Sequence, residues 1–352
     1  MKKLVLFAAA TAMLLAGCQN AKTYAVSGSI EGLESGTVTL VPLTGNAEEP
    51  YGEATVENGA FTIEIESLTP LFTLLTVNGQ PTVPVFLESG EITVSGSADD
   101  MQNLKVGGSV SNDAFTAYLE AQAGLAETLQ NSAATEEEVM AAYEQIENLV
   151  EETYEANKEN LWGAYIFVTR KYYSMEAEEI LATVDGFSKE LQKLPELVKV
   201  RQRAEGMLRT AVGKPFIEVK MPNAEGEDIA LSEIVKANKV TLLDFWASWC
   251  RPCMGEVPYL LKDYAEYHDK GFEIYGISLD NNREAWLNTI AANGMGWVNV
   301  SILGGWEAPA VKDYAVSSIP TNFLINSEGE IIAKNLRGEA LGAKLAEIFA
   351  EE

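Results

Sequence analysis

Thr241-Leu-Leu-Asp-Phe-Trp-Ala-Ser-Trp-Cys-Arg-Pro-Cys253 restricts this chain more than any other stretch. An apolar run of strand length leads into two cysteines separated by two residues, and a helix begins at the pair. Thiols at that spacing lie close enough to bridge. A helix N-terminus presents free N–H groups and the positive end of the macrodipole, which stabilise a thiolate on the first cysteine. The second cysteine, inside the first turn and expected to be the more buried, can attack a mixed disulfide formed on the first. The chain has 352 residues and only three Cys, at 18, 250 and 253, with one His, His268. That inventory is too small for a disulfide scaffold or a His-rich metal site. It leaves the Cys250–Cys253 pair without the further ligands a zinc site needs, so no metal and no cofactor beyond the cysteine pair is expected. His268 falls in a polar helical stretch and reads as a surface residue.

The residues around the pair alternate between strand and helix. Val240–Trp246 reads as a strand, followed by a helix from Cys250, a strand at Phe272–Leu279 and a helix at Arg283–Asn293. Strands at Asn322–Ile325 and Ile331–Asn335 flank a turn at Asn326-Ser-Glu-Gly329, and a helix closes the chain at Leu341–Ala350. This is an α/β pattern with a mixed sheet flanked by helices, and Gly213-Lys214-Pro215 marks where it begins, giving a domain over 212–352.

The preceding residues differ in texture. Residues 23–108 are β-rich: Phe61-Thr-Ile-Glu-Ile-Glu66 alternates apolar and polar, and short β-branched runs at Thr37–Leu40, Leu71–Val77, Thr82–Leu87 and Glu91–Ser95 are punctuated by Gly, Asn and Pro. That spacing predicts an antiparallel sandwich or a partly open barrel. Residues 109–211 read as helical. Thr135-Glu-Glu-Glu138 fits a capping box, and Val139, Tyr143, Ile146 and Val150 follow at helical spacing; Trp162–Tyr173 and Leu194–Leu208 read as further helices. The aromatic residues of this zone are expected in a core.

Net charge is −27, which argues against nucleic-acid binding. The acidity is uneven: residues 19–168 hold 24 acidic residues against 3 basic. A solvated, mutually repelling surface accounts for it; recognition of a basic partner or cations is the other reading.

Residues 1–17 carry Lys2 and Lys3, then a largely apolar stretch of 12 residues, Leu4–Leu15, and lead into Leu15-Ala16-Gly17-Cys18. The apolar stretch is shorter than the roughly 20 residues of a membrane span and reads as a secretory signal. Its end resembles the lipobox of bacterial lipoproteins. That resemblance implies cleavage before Cys18, acylation of the Cys18 thiol, a short tether over 18–22, and a chain held on a membrane in the cell envelope, facing the periplasm or the exterior.

Residues 213–352 resemble the thioredoxin superfamily, in particular the membrane-tethered TlpA/ResA-like thiol–disulfide oxidoreductases. Trp249 and Cys250-Arg-Pro-Cys253 match the W-C-x-x-C motif, Pro258 matches the proline within the following helix, and Ser318-Ile319-Pro320-Thr321 matches the loop that carries a cis-proline. The resemblance implies that Cys250 is the nucleophile and Cys253 the resolving thiol. It implies that Trp249, Arg251, Pro252, Ile319 and Pro320 form the substrate surface, the backbone of Ile319 pairing with a bound strand. Asp244 lies six residues before Cys250 in an otherwise apolar strand, where burying an acid is costly. In thioredoxin an Asp at this spacing helps move the resolving thiol's proton, and the resemblance implies that role for Asp244; a merely hydrogen-bonded strand Asp is the other reading. Glu256, three residues after Cys253, matches an active-site Glu of some ResA-like proteins; its other reading is a solvent-facing acid favoured by the helix dipole.

The N-terminal region resembles, over roughly residues 24–120, that of two-domain thioredoxin-like lipoproteins with a DUF4369-like domain. Asn58-Gly59-Ala60-Phe61, Leu87-Glu88-Ser89-Gly90 and Gly107-Gly108-Ser109 carry that match.

The implied activity is extracytoplasmic reduction of protein disulfides. The implied partners are protein substrates, apocytochromes among them, and a membrane electron carrier as reductant. Two other readings stand beside it: a non-enzymatic surface lipoprotein that binds a ligand through its N-terminal domain, and a peroxiredoxin-like thiol peroxidase. Against the latter, a peroxidase motif ending at Cys250 would need Pro and Thr where this chain has Leu243 and Ala247.

Overall fold

The computed structural model describes residues 21–43 and 49–350; the expected leader and Cys18 lie outside the described residues. The chain divides into two compact units. One runs to Ser174 and takes in Thr183–Val198; the other comprises Met175–Ala182 and the chain from Lys199 onward.

In the first unit, strands β1 (Lys22–Glu31), β2 (Ser35–Pro42), β3 (Gly52–Glu57), β4 (Ala60–Ser67), β5 (Leu71–Val77), β6 (Gln80–Leu87), β7 (Ile92–Ser97) and β8 (Lys105–Gly107) form one sheet. Its order is β6-β5-β2-β3-β4-β1-β7-β8, and the two edge strands approach one another, so the sheet curls into a nearly closed barrel and not a sandwich. The pairing departs from the wholly antiparallel expectation at one ladder, where β1 runs parallel to β7. The excursion through β2–β6 supplies the long connection that a parallel pair requires. Strand β1 gives little sequence signal because Gly28, at an inward position between Val26 and Ile30, interrupts its apolar alternation. Gly28 pairs with Phe61 across the ladder, and a Cβ there would lie 2.1 Å from the Phe61 ring, so the missing side chain is what admits the aromatic.

Helices α1 (Val110–Gln130), α2 (Glu136–Asn157), α3 (Leu161–Ile166), α4 (Ala177–Gly186) and α5 (Pro195–Arg209) follow, the last two straddling the division between units. The capping box of α2 is present: the Thr135 side chain accepts the Glu138 N–H and Glu138 accepts the Thr135 N–H. The buried stripe of α2 is Ala142, Ile146, Val150 and Tyr154, whereas Tyr143, expected on that stripe, is exposed. A strict four-residue step from Ile146 reaches Ala142 and rotates Tyr143 outward. The stretch expected as one helix over Trp162–Tyr173 changes pitch after α3. It passes through a π turn at Phe167–Lys171, where the Thr169 hydroxyl donates to the Tyr165 carbonyl at 2.8 Å, and ends in a 3₁₀ turn. Trp162 and Tyr165 stack, and Phe72, Phe86, Phe115 and Tyr118 pack around them, so the aromatic residues form the core between sheet and helices.

Two of the sequence motifs of this unit meet in space. Gly108 has φ +85° and no room for a side chain, a Cβ lying 2.0 Å from the Glu91 carbonyl oxygen. Ser109 caps α1, and Glu88 accepts hydrogen bonds from the Ser111 N–H and hydroxyl. Fully buried Asn112 then completes the edge of β6: its Oδ1 accepts the Phe86 N–H at 3.0 Å and its Nδ2 donates to the Phe86 carbonyl at 2.8 Å. Asn112→Ala strands both backbone groups and is expected to destabilise this unit by about 2–4 kcal/mol. Urea unfolding of the variant measures it, and an unchanged midpoint would refute the pairing.

In the second unit a small hairpin, β9 (Lys220–Pro222) with β10 (Asp228–Ala230), precedes α6 (Leu231–Ala237), β11 (Val240–Trp246), α7 (Arg251–Tyr267), β12 (Phe272–Ser278), α8 (Arg283–Asn293), β13 (Val298–Val300), α9 (Pro309–Asp313), β14 (Thr321–Asn326), β15 (Ile331–Lys334) and α10 (Glu339–Ala350). The five-stranded sheet has order β13-β12-β11-β14-β15; β11 runs parallel to β12 and antiparallel to β14, so the sheet is mixed. Every residue of β11 is buried. That central position, covered on both faces, explains why its sequence is a continuous apolar run and not an alternation.

Candidate active site

Central strand β11 delivers the chain to the site. It ends at Trp246; Ala247, Ser248 and Trp249 form a short connection; Cys250 is the N-cap of α7. The Cys250 Sγ accepts the Cys253 N–H at 3.1 Å, and Pro252 sits in the first turn, where its missing N–H costs no helical bond. Cys250 and Cys253 are joined in a disulfide with their Cα atoms 5.3 Å apart. The two residues are buried almost equally, at 4% and 3% exposed, so the expected difference in burial is absent from this oxidised state.

The other expected site residues gather at this end of the sheet. Antiparallel pairing of Phe245 with Thr321 brings the end of β14 level with the end of β11, so Pro320 stands where the chain leaves β11 for Cys250. The Ile319–Pro320 bond is cis, and both residues are half-buried. Trp249, Arg251 and Pro252 are exposed around the disulfide, and Pro258 lies inside α7. His268, at the end of α7, is exposed; it stacks on Tyr264, and its Nδ1 lies 3.2 Å from the Phe272 carbonyl oxygen. Leu243 and Ala247 are fully buried and offer no hydroxyl to orient a peroxide. Among the described residues no group of three or more His, Cys, Asp or Glu is placed to hold a metal ion, and no helix is long and apolar enough to cross a membrane.

Asp244 is buried within β11, flanked by Gly276 on β12 and Asn322 on β14. Burial pushes its pKa up to about 7; the Arg337 guanidinium pulls it down and the Glu256 carboxylate pushes it further up. The carboxyl therefore changes charge in the pH range in which thiol exchange operates. Glu256 is half-buried, and its Oε2 accepts the Gly338 N–H at 2.8 Å. This ties α7 to the segment after β15, so Glu256 is not the solvent-facing first-turn acid of the alternative reading.

Three residues of the site gave no motif in the sequence. Asp280, just past the end of β12, is buried and accepts from the Ser248 N–H at 3.0 Å and from the hydroxyls of Ser248 and Ser278, fixing the connection that precedes Cys250. An acid at the carboxyl end of a parallel strand was the available signal. Trp306, 42% exposed, lies beside Trp249, 56% exposed, with ring centroids 6.5 Å apart, and extends the aromatic surface next to the disulfide. Arg337 donates to the Pro320 carbonyl from across the site. Neither Trp306 nor Arg337 lies near the cysteines in sequence, and tertiary folding alone brings them there.

Comparison with known proteins agrees with this architecture. Residues 212–334 match the AhpC/TSA family, and residues 24–115 match a domain of unknown function, DUF4369. The thiol-disulfide oxidoreductase ResA of Bacillus thuringiensis subsp. konkukian (strain 97-27) is 32% identical over 136 residues, 39% of this chain and 75% of that protein. ResA of Bacillus subtilis (strain 168) is 31% identical over 112 residues, 32% of this chain and 60% of that protein. A solved thiol-disulfide oxidoreductase from Bacteroides fragilis NCTC 9343 aligns with 38% identity and a TM-score of 0.37 over 38% of this chain and 99% of its own. With a disulfide-bonded Cys-x-x-Cys at the head of α7, this chain belongs to the TlpA/ResA-like thiol–disulfide oxidoreductases of the thioredoxin superfamily.

Proposed function

We propose that this chain is an extracytoplasmic, lipid-anchored reductase of protein disulfides. The observation that carries the catalytic part is the joint placement of Cys250 at the N-cap of α7 and a buried Asp244 that titrates near pH 7. In the reduced enzyme the Cys250 thiolate attacks one sulfur of a substrate disulfide. That S–S bond breaks, and one substrate thiolate leaves and takes up a proton. Asp244, with Glu256 beside it, accepts the Cys253 proton. The Cys253 thiolate then attacks the Cys250 sulfur, and the second substrate thiolate departs and is protonated. Two electrons pass to the substrate, and the enzyme is left in the disulfide form seen here. No cofactor enters these steps; a membrane electron carrier would return the electrons.

Exposed Trp249, Arg251 and Pro252, with Ile319 and Pro320 on the facing loop, offer a surface for an extended polypeptide, apocytochromes among the candidate substrates. Cys18 is the proposed site of acylation, and the leader at residues 1–17 supports placement outside the cytoplasm.

A redox titration of the full chain, paired with an insulin-reduction assay, tests the direction. A reductase is expected to show insulin turnover and a potential well below the range of strong oxidants; a value near about −120 mV would overturn that direction. Palmitate labelling in a bacterial host tests the anchor: label is expected on the wild type and lost in Cys18→Ala, and undiminished label in the variant rules the anchor out.

A further inference from the structure

Residues 335–338 cross the site as a strap fastened at four points. The Asn335 N–H donates to the Asn322 carbonyl at 2.8 Å. The Asn322 side chain takes both backbone groups of Leu336: its Oδ1 accepts the Leu336 N–H at 2.9 Å and its Nδ2 donates to the Leu336 carbonyl at 2.8 Å. Arg337 reaches across to the Pro320 carbonyl, and the Gly338 N–H donates to Glu256 at 2.8 Å. Asn322 is buried and is the ladder partner of Asp244. The strap thus joins the loop that faces the substrate, the strand beside the buried acid and the first turns of the helix that carries the cysteines.

We propose that Arg337 is a positioning residue with two separable roles: its guanidinium fork holds the Pro320 carbonyl, setting the loop against which substrate docks, and the strap's bonds to Asn322, the ladder partner of Asp244, hold its charge on the side of the buried acid. The proposal rests on the reading of Asp244 as acceptor of the Cys253 proton. The charged groups whose fields reach Asp244 are Arg337, following β15, and Glu256, on α7. Its ladder neighbours, Gly276 and Asn322, carry no charge. Arg337 is therefore the cation that opposes burial and Glu256, and without it Asp244 would bind its proton more tightly. Only a planar fork can reach the Pro320 carbonyl and keep a further donor in place, as Arg337 does on the Leu336 carbonyl at 3.2 Å. A lysine would keep the charge and lose that geometry.

The test compares wild type, Arg337→Gln and Arg337→Lys as full chains, with a disulfide-bonded peptide as substrate. KM and the pH profile of mixed-disulfide resolution are read. Arg337→Gln is expected to move the midpoint of the rising limb upward by about one pH unit and to raise KM severalfold. Arg337→Lys is expected to restore the midpoint and leave KM raised. A Gln variant with wild-type midpoint and KM, even if it melts at lower temperature, would overturn the proposal. So would a Lys variant indistinguishable from Gln in both readouts. An inactive wild type in the same assay would instead refute the reductase reading, so the two failures are distinguishable.

Discussion

Cys253→Ser is expected to turn the enzyme into a covalent trap, and Cys250→Ser to leave it inert. The asymmetry follows from the helix cap. Cys250 Sγ receives the Cys253 N–H at 3.1 Å and stands at the N-terminus of α7, where the dipole favours negative charge. Cys253 lies within the first turn, and in the proposed reaction it attacks Cys250 once the mixed disulfide exists. With serine at 253, attack on the substrate proceeds, resolution cannot, and a Cys250–substrate disulfide accumulates. With serine at 250 no adduct forms. Steady-state turnover falls in both by on the order of 10³-fold or more, since each removes a partner that acts as a unit with the other. Intact mass measured after mixing with a protein disulfide separates them. Adducts at Cys253 in Cys250→Ser, forming as fast as those at Cys250, would reverse the assignment.

Asp244→Asn is expected to make the oxidised protein more stable and the enzyme slower. In that form neither thiol titrates, so the acid can be read by itself. Its pKa is 3.8 in the unfolded chain and about 7 in the folded one. Below pH 3.8 both states hold the proton and the burial penalty is absent. Between the two values the folded state keeps a proton that the unfolded state releases, so stability declines as pH rises, by at most about 1.4 kcal/mol for each pH unit. Above about 7 the decline is complete and amounts to a few kcal/mol. Removing the carboxylate relieves this loss, so the gain should be large near pH 8 and close to zero near pH 3.5. Urea unfolding of the C-terminal unit at both pH values measures it. A gain of equal size at both would show that ionisation is not its cause. In catalysis the same substitution should slow resolution more than formation of the mixed disulfide; equal slowing would remove Asp244 as acceptor of the Cys253 proton.

The parts of this molecule legible in sequence are those where local pattern and tertiary position agree. β11 reads as a strand because the centre of the sheet demands apolar residues on both faces, and the one acid in it is conspicuous for the same reason. The α2 cap needs only four residues and is present as expected. The strands at β8, β9, β10 and β13 give no sequence signal because they are three residues long, too short for an alternation to register; β3 gives none because it buries only Val56. The parallel β1–β7 pair gives none because pairing direction is a property of the connection and not of either strand. At the site, Cys250 and Cys253 are marked by spacing, and Pro320 by the resemblance of its loop to that of the family. Trp306 and Arg337 are marked by nothing local, and Asp280 only by its place just past the end of a strand; each acts through a hydrogen bond or ring contact with a residue at least seventeen positions away.

The bond between Asn112 and Phe86 also fixes where the N-terminal unit can be divided. A side-chain amide that offers one acceptor and one donor to a strand imitates the peptide group of a neighbouring strand, so α1 supplies β6 with a substitute partner at its open edge. The change from β-rich to helical sequence at residue 108 is therefore a boundary of composition and not of folding. A fragment cut there would carry an uncapped, apolar edge at Val83, Val85 and Phe86, the kind of edge that recruits other chains. The match to DUF4369 ends at residue 115, past Asn112, and so keeps the strand and its surrogate together.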